Sequence, residues 1–337
     1  MPSHNGTIWD ETLNVMNFKP ADCSSCVSGP ELSEEQLDDE AVPLCEQDVP
    51  VPRAAGRLRD RALFWRTFVR SSYVMSWIEN GFQLRFKTGR APPRIHLHNH
   101  SSVVKHTAFV TRAVKECVLM GALREAPSKP RVVLPLMVDD SRDKLRLIFN
   151  GKWLNAFLLF PKFKYEQLQP FIDLLRRDDG LFYFDYKSGY YHVDLHEMSR
   201  TFVAVEWLGK FYELCVLPFG LAPACWVFTK INRELIGKWR GLGFRVHPYV
   251  DDFAFAVRAP TLADPAALAV LSSIMQDVRE AGWLVSESKS QLFFSRTLVH
   301  IGIGIDLEGG CCSCLRRLWA RSGPVCLTCC GCFTGCP

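Results

Sequence analysis

The chain has 337 residues, 48% hydrophobic and 23% charged, enough apolar material for one large or two modest cores, which excludes a wholly disordered protein. No apolar run reaches the roughly eighteen residues that would span a bilayer. The start Met1-Pro2-Ser3-His4-Asn5-Gly6 lacks the regions of a secretory leader, so no membrane partner is expected and an intracellular location, cytoplasm or nucleus, is.

The net charge of +4 hides an asymmetry: residues 1–52 hold one lysine against eleven acids, a charge of −10, which leaves +14 on the rest. A basic body suits a phosphate backbone. Residues 1–54, acidic and poor in aromatics, read as a solvated, disordered leader, and Cys23-Ser24-Ser25-Cys26 has no second pair nearby at metal-site spacing.

Residues 55–93 read as a helical N-terminal extension: Leu63, Phe64, Phe68, Val74 and Trp77 are spaced as on helices, Glu79-Asn80-Gly81 stops them, and Pro92-Pro93 marks a boundary. His96, His98 and His100 alternate, as ligands on one face of a strand or, with no carboxylate or cysteine nearby to complete a set, as a solvated loop. Residues 106–123 read as a helix with Phe109, Ala113, Cys117 and Met120 on one face. Residues 132–138 and 145–149 read as a β-hairpin around the polar turn 139–143. Phe171, Leu174 and Leu175 mark a short helix that Asp178-Asp179-Gly180 breaks. A hairpin is expected around Leu208-Gly209-Lys210, a helix over 224–240 with Trp226 and Trp239 as packing residues, and a helix capped by Asp264, opened by Pro265 and stopped by Gly282. The order of strands and helices is α+β.

Two stretches carry candidate chemistry. In Val246-His247-Pro248-Tyr249-Val250-Asp251-Asp252-Phe253-Ala254-Phe255-Ala256-Val257, apolar runs flank adjacent carboxylates at a hairpin tip. Asp-Asp serves either as a polar turn or as a crowded negative pair that calls for a hard divalent cation such as Mg²⁺. A third carboxylate, Asp185, ends the buried-strand run Leu181-Phe182-Tyr183-Phe184 and precedes the turn Lys187-Ser188-Gly189-Tyr190.

Phe184 to Tyr190 followed by Tyr249-Val250-Asp251-Asp252 resembles the palm motifs of a reverse transcriptase, and Leu217-Pro218-Phe219-Gly220-Leu221 between them is also similar to a motif of that family. Gly209-Lys210-Phe211-Tyr212 and Phe228-Thr229-Lys230 are most similar to reverse transcriptases of DIRS-type retrotransposons. The likeness runs from about residue 56 to residue 309, and it implies right-hand polymerase fingers and palm over 94–309. It further implies an RNA or DNA template with primer and dNTPs as partners, and two Mg²⁺ or Mn²⁺ ions about 3.5–4 Å apart as cofactors; no protein partner is indicated. Asp185 and Asp251 would bridge the metals, the Tyr186 carbonyl would be a further ligand and Asp252 an auxiliary one. Arg146, in the second strand of the hairpin over the nucleotide, and Lys289, in Ser288-Lys289-Ser290-Gln291-Leu292, would hold the triphosphate, with Lys144 or Arg142 as a second cation. Tyr190 would be the steric gate against a 2′-hydroxyl, with ordinary packing as the alternative. Phe219 would pack against nucleotide or template. Residues 299–303 are similar to the hairpin that supports the primer end.

The likeness stops at about residue 309, so the thumb and ribonuclease H regions are expected to be missing and the copy truncated. Of fourteen cysteines, Cys311, Cys312, Cys314, Cys326, Cys329, Cys330, Cys332 and Cys336 crowd into residues 311–337, so the body is not a disulfide scaffold. The tail, 310–337, reads either as a Cys₄ zinc knuckle or as sequence from an altered frame. Two functions follow: an RNA-directed DNA polymerase, or a retroelement remnant that binds nucleic acid without polymerising.

Overall fold

The computed structural model describes residues 52–141, 144–309 and, as backbone, 311–314. The acidic leader up to residue 51, Arg142 and the zinc reading of the tail lie outside the described residues. The chain between is mixed α and β, as its pattern predicts.

Three short helices open it, α1 (Arg57–Asp60), α2 (Ala62–Arg66) and α3 (Ser72–Asn80). Ser71 caps α3 by accepting the Val74 amide, and Gly81, at φ 82, ends it in a conformation that disfavours a side chain. Buried Trp65 donates its indole N–H to the Ala281 carbonyl at 2.9 Å, so these helices are tied to a segment more than two hundred residues later. Gly282 is part of that junction: at φ 90, any Cβ would fall 2.6 Å from the Arg57 carbonyl oxygen.

The next region follows the predicted order with three corrections. After β1 (Ile95–His96) and α4 (Ser101–Lys105), the helix expected over 106–123 is α5 (Thr107–Leu119); it stops at Gly121, φ 73, and Leu123–Glu125 forms β2. Residues 132–138 are not one strand. β3 (Val132–Val133) enters a five-stranded sheet, ordered β1, β3, β7, β8, β2, while β4 (Leu136–Asp139) turns away at Pro135 and pairs only with β5 (Arg146–Phe149). Proline lacks the N–H that a continuous ladder would need there. Nor is the histidine stretch without an acid: His96 lies 2.5 Å from Glu206 of β7, a residue 110 positions later. Beyond α6 (Lys152–Asn155), α7 (Gln169–Ile172), β6 (Asp179–Asp185) and α8 (Glu197–Arg200), β7 (Ala204–Trp207) and β8 (Lys210–Leu214) turn through Leu208 and Gly209, both at positive φ, the geometry that suits a tight hairpin.

The site stands on a second sheet, ordered β11, β6, β10, β9 and antiparallel throughout, with β9 (Arg245–Tyr249), β10 (Asp252–Arg258) and β11 (Gln291–Ser295). Strand period two divides its side chains between two cores. Phe182, Phe184, Phe253 and Phe255 face α9 (Ala224–Gly241) and α10 (Pro265–Glu280), meeting Ile231, Trp239, Ile274 and Val278. Leu181, Ala254 and Ala256 face the other way, onto Phe171, Leu298 and Ile305. This explains why the run before Asp185 is apolar at every step rather than at alternate ones. Phe182 stacks on Phe255 at 4.7 Å and Phe184 on Phe253 at 5.1 Å, cross-strand pairs each worth about 0.5–1.5 kcal/mol beyond burial. The expected caps of α10 are present, with Asp264 accepting the amides of Ala266 and Ala267.

Asp179 departs from its expected role as a helix breaker. It is the first residue of β6, fully buried, and Arg245 of β9 grips both its carboxylate oxygens at 2.5 and 2.6 Å. A last small sheet, β12 (Thr297–His300), β13 (Ile303–Asp306) and β14 (Cys311–Cys314), is joined to β9 by His247 and His300, whose ring nitrogens lie 2.9 Å apart. Among the described residues, no helix is long and apolar enough to cross a membrane.

Candidate active site

β6 ends in Asp185, and the β9–β10 hairpin ends in Asp251, with Asp252 as the first residue of β10. The ladder sets Asp252 directly opposite Asp185, which puts their side chains on one face. Tyr186 donates its amide to the Asp251 carbonyl at 3.0 Å and locks the hairpin tip to the strand end. Val250, at φ 57, takes a left-handed conformation that costs a β-branched residue about 1–3 kcal/mol and that the surrounding ladders hold in place. The result brings one oxygen from each of Asp185, Asp251 and Asp252 within 4.8 Å of one another.

These carboxylates are short of positive partners. Asp252 is pushed up to about 7, first by burial and then by the charges of Asp251 and Asp185. Asp251 is raised too, chiefly by burial and further by Asp185. The Lys289 ammonium sits 3.7 Å from Asp185, on a side chain that is 70% exposed and therefore well screened. An all-carboxylate oxygen set with uncompensated charge fits a hard divalent cation such as Mg²⁺ or Mn²⁺ and not a zinc-type site. Among the described residues, no other group of three acids, histidines or cysteines converges in this way; His96, His98 and His100 do not.

The remaining candidates divide. The Tyr186 ring is buried, stacked on Trp283 at 4.6 Å, so only its backbone can reach the site. Tyr190, in the 3₁₀ turn Gly189–His192, is 4% exposed; its ring meets Phe219 edge-on at 4.5 Å and Phe228 at 4.9 Å. Phe219 is half-exposed beside it. Gly189 allows the turn to pass close to the hairpin, since a Cβ there would meet Phe228 at 3.1 Å and Asp251 at 3.5 Å. Arg146 stands apart on β5, exposed and opposite Asp139 in register, with no ion pair to the three acids. Lys144 is exposed in the same hairpin.

Two supports escaped the sequence reading. Ser290 accepts the Asp185 amide at 3.1 Å and donates to the Ser286 carbonyl, while the Ser286 amide donates to the Asp185 carbonyl, so residues 286–290 fix the acid's backbone. The closeness of these serines to Lys289 was the available signal. His192 is buried, lowered to about 4 chiefly by desolvation, and accepts the Leu284 amide at 3.1 Å while its other ring nitrogen donates to the Ser188 and Gly189 carbonyls. That bonding holds the turn preceding Tyr190, and nothing local in the sequence marks it.

Comparison with known proteins agrees with this geometry. The chain is 25% identical over 199 residues to an enzymatic polyprotein of cauliflower mosaic virus, 58% of this chain and 28% of that one. It is 25% identical over 212 residues to the retrovirus-related Pol polyprotein from transposon gypsy of Drosophila melanogaster, 60% of this chain and 19% of that one. The chain thus spans less than a third of these relatives. The fold matches the foamy viral protease-reverse transcriptase solved in complex with dsDNA, with a TM-score of 0.56, 17% identity, and coverage of 74% of this chain and 55% of that one. The same foamy viral enzyme solved with an RNA/DNA hybrid matches with a TM-score of 0.56, 16% identity, and coverage of 74% of this chain and 35% of that one. The α+β body accordingly has the architecture of reverse transcriptase fingers and palm. The family model described as reverse transcriptase (RNA-dependent DNA polymerase) matches residues 129–305, just over half of the chain and the whole of the site described above, and the chain belongs to that family.

Proposed function

We propose that the chain adds dNTPs to a primer 3′-hydroxyl on an RNA or DNA template, as a retroelement polymerase. The observation that carries this reading is the convergence of Asp185, Asp251 and Asp252 at one strand end, with burial and mutual repulsion left uncompensated. Asp185 and Asp251 would hold two Mg²⁺ or Mn²⁺ ions between them, with Asp252 and the Tyr186 carbonyl as further ligands. Bound there, divalent ions supply activation of the primer hydroxyl and neutralisation of charge on the departing pyrophosphate. Lys289, exposed beside Asp185, is suited to neutralise phosphate oxygens, and Arg146 can offer a bidentate guanidinium from the β4–β5 hairpin. Tyr190, clamped between Phe219 and Phe228, fills the space that a 2′-hydroxyl would need, and Phe219 offers its exposed face to the nucleotide or the template.

Template binding is supported by the basic balance of the body and by the complexes in which the foamy viral relative was solved. A DIRS-type origin rests on Gly209-Lys210-Phe211-Tyr212 and Phe228-Thr229-Lys230. Primer extension on poly(rA)/oligo(dT) with Mg²⁺ or Mn²⁺ tests the reading. Incorporation that requires the divalent ion and is abolished in Asp251→Asn is the expected result. A folded chain that binds the duplex but adds no dTMP would instead be a non-polymerising remnant.

A further inference from the structure

Cys225 lies at the second position of α9, half-buried, four residues past the end of the motif that carries Phe219. Its Sγ is 2.9 Å from the Tyr190 hydroxyl. The Tyr165 side chain, from the segment before α7, lies beside the same thiol. Tyr165 in turn packs on Tyr249 at 5.4 Å, the last residue of β9 before the strained Val250 and the paired acids. Tyr190, Cys225, Tyr165 and Tyr249, from four separate segments, thus lie side by side between the turn after β6 and the hairpin tip.

A ring that excludes a 2′-hydroxyl does so by occupying volume, and its selectivity depends on how firmly the ring is held. Phe219 and Phe228 restrain the Tyr190 ring by contact alone, and Phe219 is half-exposed. The hydroxyl end has Cys225 as its hydrogen-bond partner. We propose that Cys225 is a positioning residue for sugar selection: its sulfur anchors the Tyr190 hydroxyl and so holds the ring in place. This assignment rests on the proposed polymerase function and adds to it a residue that touches neither metal nor nucleotide.

The test compares Cys225→Ala, which removes the anchor, with Cys225→Ser, which keeps a hydrogen-bonding atom there, and with Tyr190→Phe, which removes the anchored hydroxyl. The readout is the ratio of kcat/KM for dTTP to that for UTP on poly(rA)/oligo(dT). Losing one hydrogen bond should lower this ratio about threefold to tenfold in Cys225→Ala and in Tyr190→Phe. The double variant should lose no more than either single one, and Cys225→Ser should recover most of the parent ratio. The ¹⁹F resonance of Tyr190 in 3-fluorotyrosine-labelled protein, assigned through Tyr190→Phe, should move in Cys225→Ala and return towards its parent position in Cys225→Ser. If Cys225→Ala loses its fold, Tyr190→Phe decides in its place. Extension with an unchanged ratio, together with an unmoved resonance, overturns the role of Cys225 alone. A parent chain that extends no primer overturns the polymerase reading and the sugar selection with it.

Discussion

Strand β6 carries an acid at each end, and the two ends are treated in opposite ways. At its start, Asp179 is fully buried and gripped through both oxygens by Arg245, while the Asp179 carbonyl accepts a hydrogen bond from Arg296. At its end, Asp185 faces two further carboxylates and one exposed lysine 3.7 Å away. Both acids lie on the same ladder with β10, where Asp179 is opposite Arg258 and Asp185 opposite Asp252. The difference separates a structural charge from a candidate catalytic one: the first has its counter-charge gripped within the fold, and the second has beside it only an exposed, screened lysine, which leaves it open to an ion or substrate.

The largest expected effect comes from the uncompensated end. Asp251→Asn should lower primer extension at least about a thousandfold, since on the proposed reading it removes a ligand to ions that contribute several kcal/mol to charge stabilisation. Its melting temperature should hold or rise, because one of three mutually repelling groups has lost its charge. Extension rates paired with thermal melts check this, and a folded variant with near-parent incorporation would take Asp251 out of the metal site.

Asp179→Asn should do the reverse. Leaving the largely but not fully buried Arg245 guanidinium, 20% exposed, without its carboxylate costs about 3 kcal/mol, readable as a lower urea midpoint. Extension per folded molecule should stay near the parent rate. A loss of activity without a loss of stability would erase the contrast between the two ends.

A smaller effect is expected from the flank of the same sheet, where His247 joins β9 to β12 through His300. His247 donates from Nε2 to the Glu166 carbonyl and so accepts at Nδ1 from His300, which makes the pair neutral. His300 is pushed down to about 3 and His247 is lowered as well, both mainly by burial. Folded values below the ordinary 6.5 mean that the unfolded chain binds more protons at these two rings as the pH falls, so the pair's contribution to stability declines from about pH 6.5 towards 3. His300 alone should remove about 2 kcal/mol at pH 5. The difference in denaturation midpoint between the parent and a His300→Gln variant, at pH 7 and at pH 5, isolates it from the opposite slope of Asp252 and the like slope of His192, and an unchanged difference would mean that the pair is open to water. The smallest effect expected is that of Tyr190→Ala, which should lower discrimination against ribonucleotides by about tenfold, roughly 1.4 kcal/mol, measured as dTTP against UTP incorporation. An unchanged ratio with retained activity would make Tyr190 a packing residue.

Much of this molecule was legible residue by residue. The hairpin around Leu208-Gly209, the Asp264–Pro265 start of α10, the stop at Gly81 and the run before Asp185 all depend on neighbours within a few positions, which is why local pattern reports them. The three acids were legible for the same reason, since Asp185 ends a continuous apolar strand and Asp251-Asp252 sit at a hairpin tip between two apolar runs. Other features depend on which segments the tertiary fold sets side by side. Local polarity cannot distinguish Asp179, buried against Arg245, from its half-buried neighbour Asp178, because the guanidinium comes from 66 residues away. The break at Pro135, the Glu206 partner of His96, the His192 contact to Leu284 and the Cys225 anchor of Tyr190 are of the same kind. The sequence by itself determined the strands, turns and caps and the identity of the carboxylates, because these follow from short-range sterics and hydrophobic period. Only the tertiary structure decided which charges are paired, which are left bare and which ring is held in place, because sheet register and helix packing bring together residues too far apart in the chain for any local rule to connect.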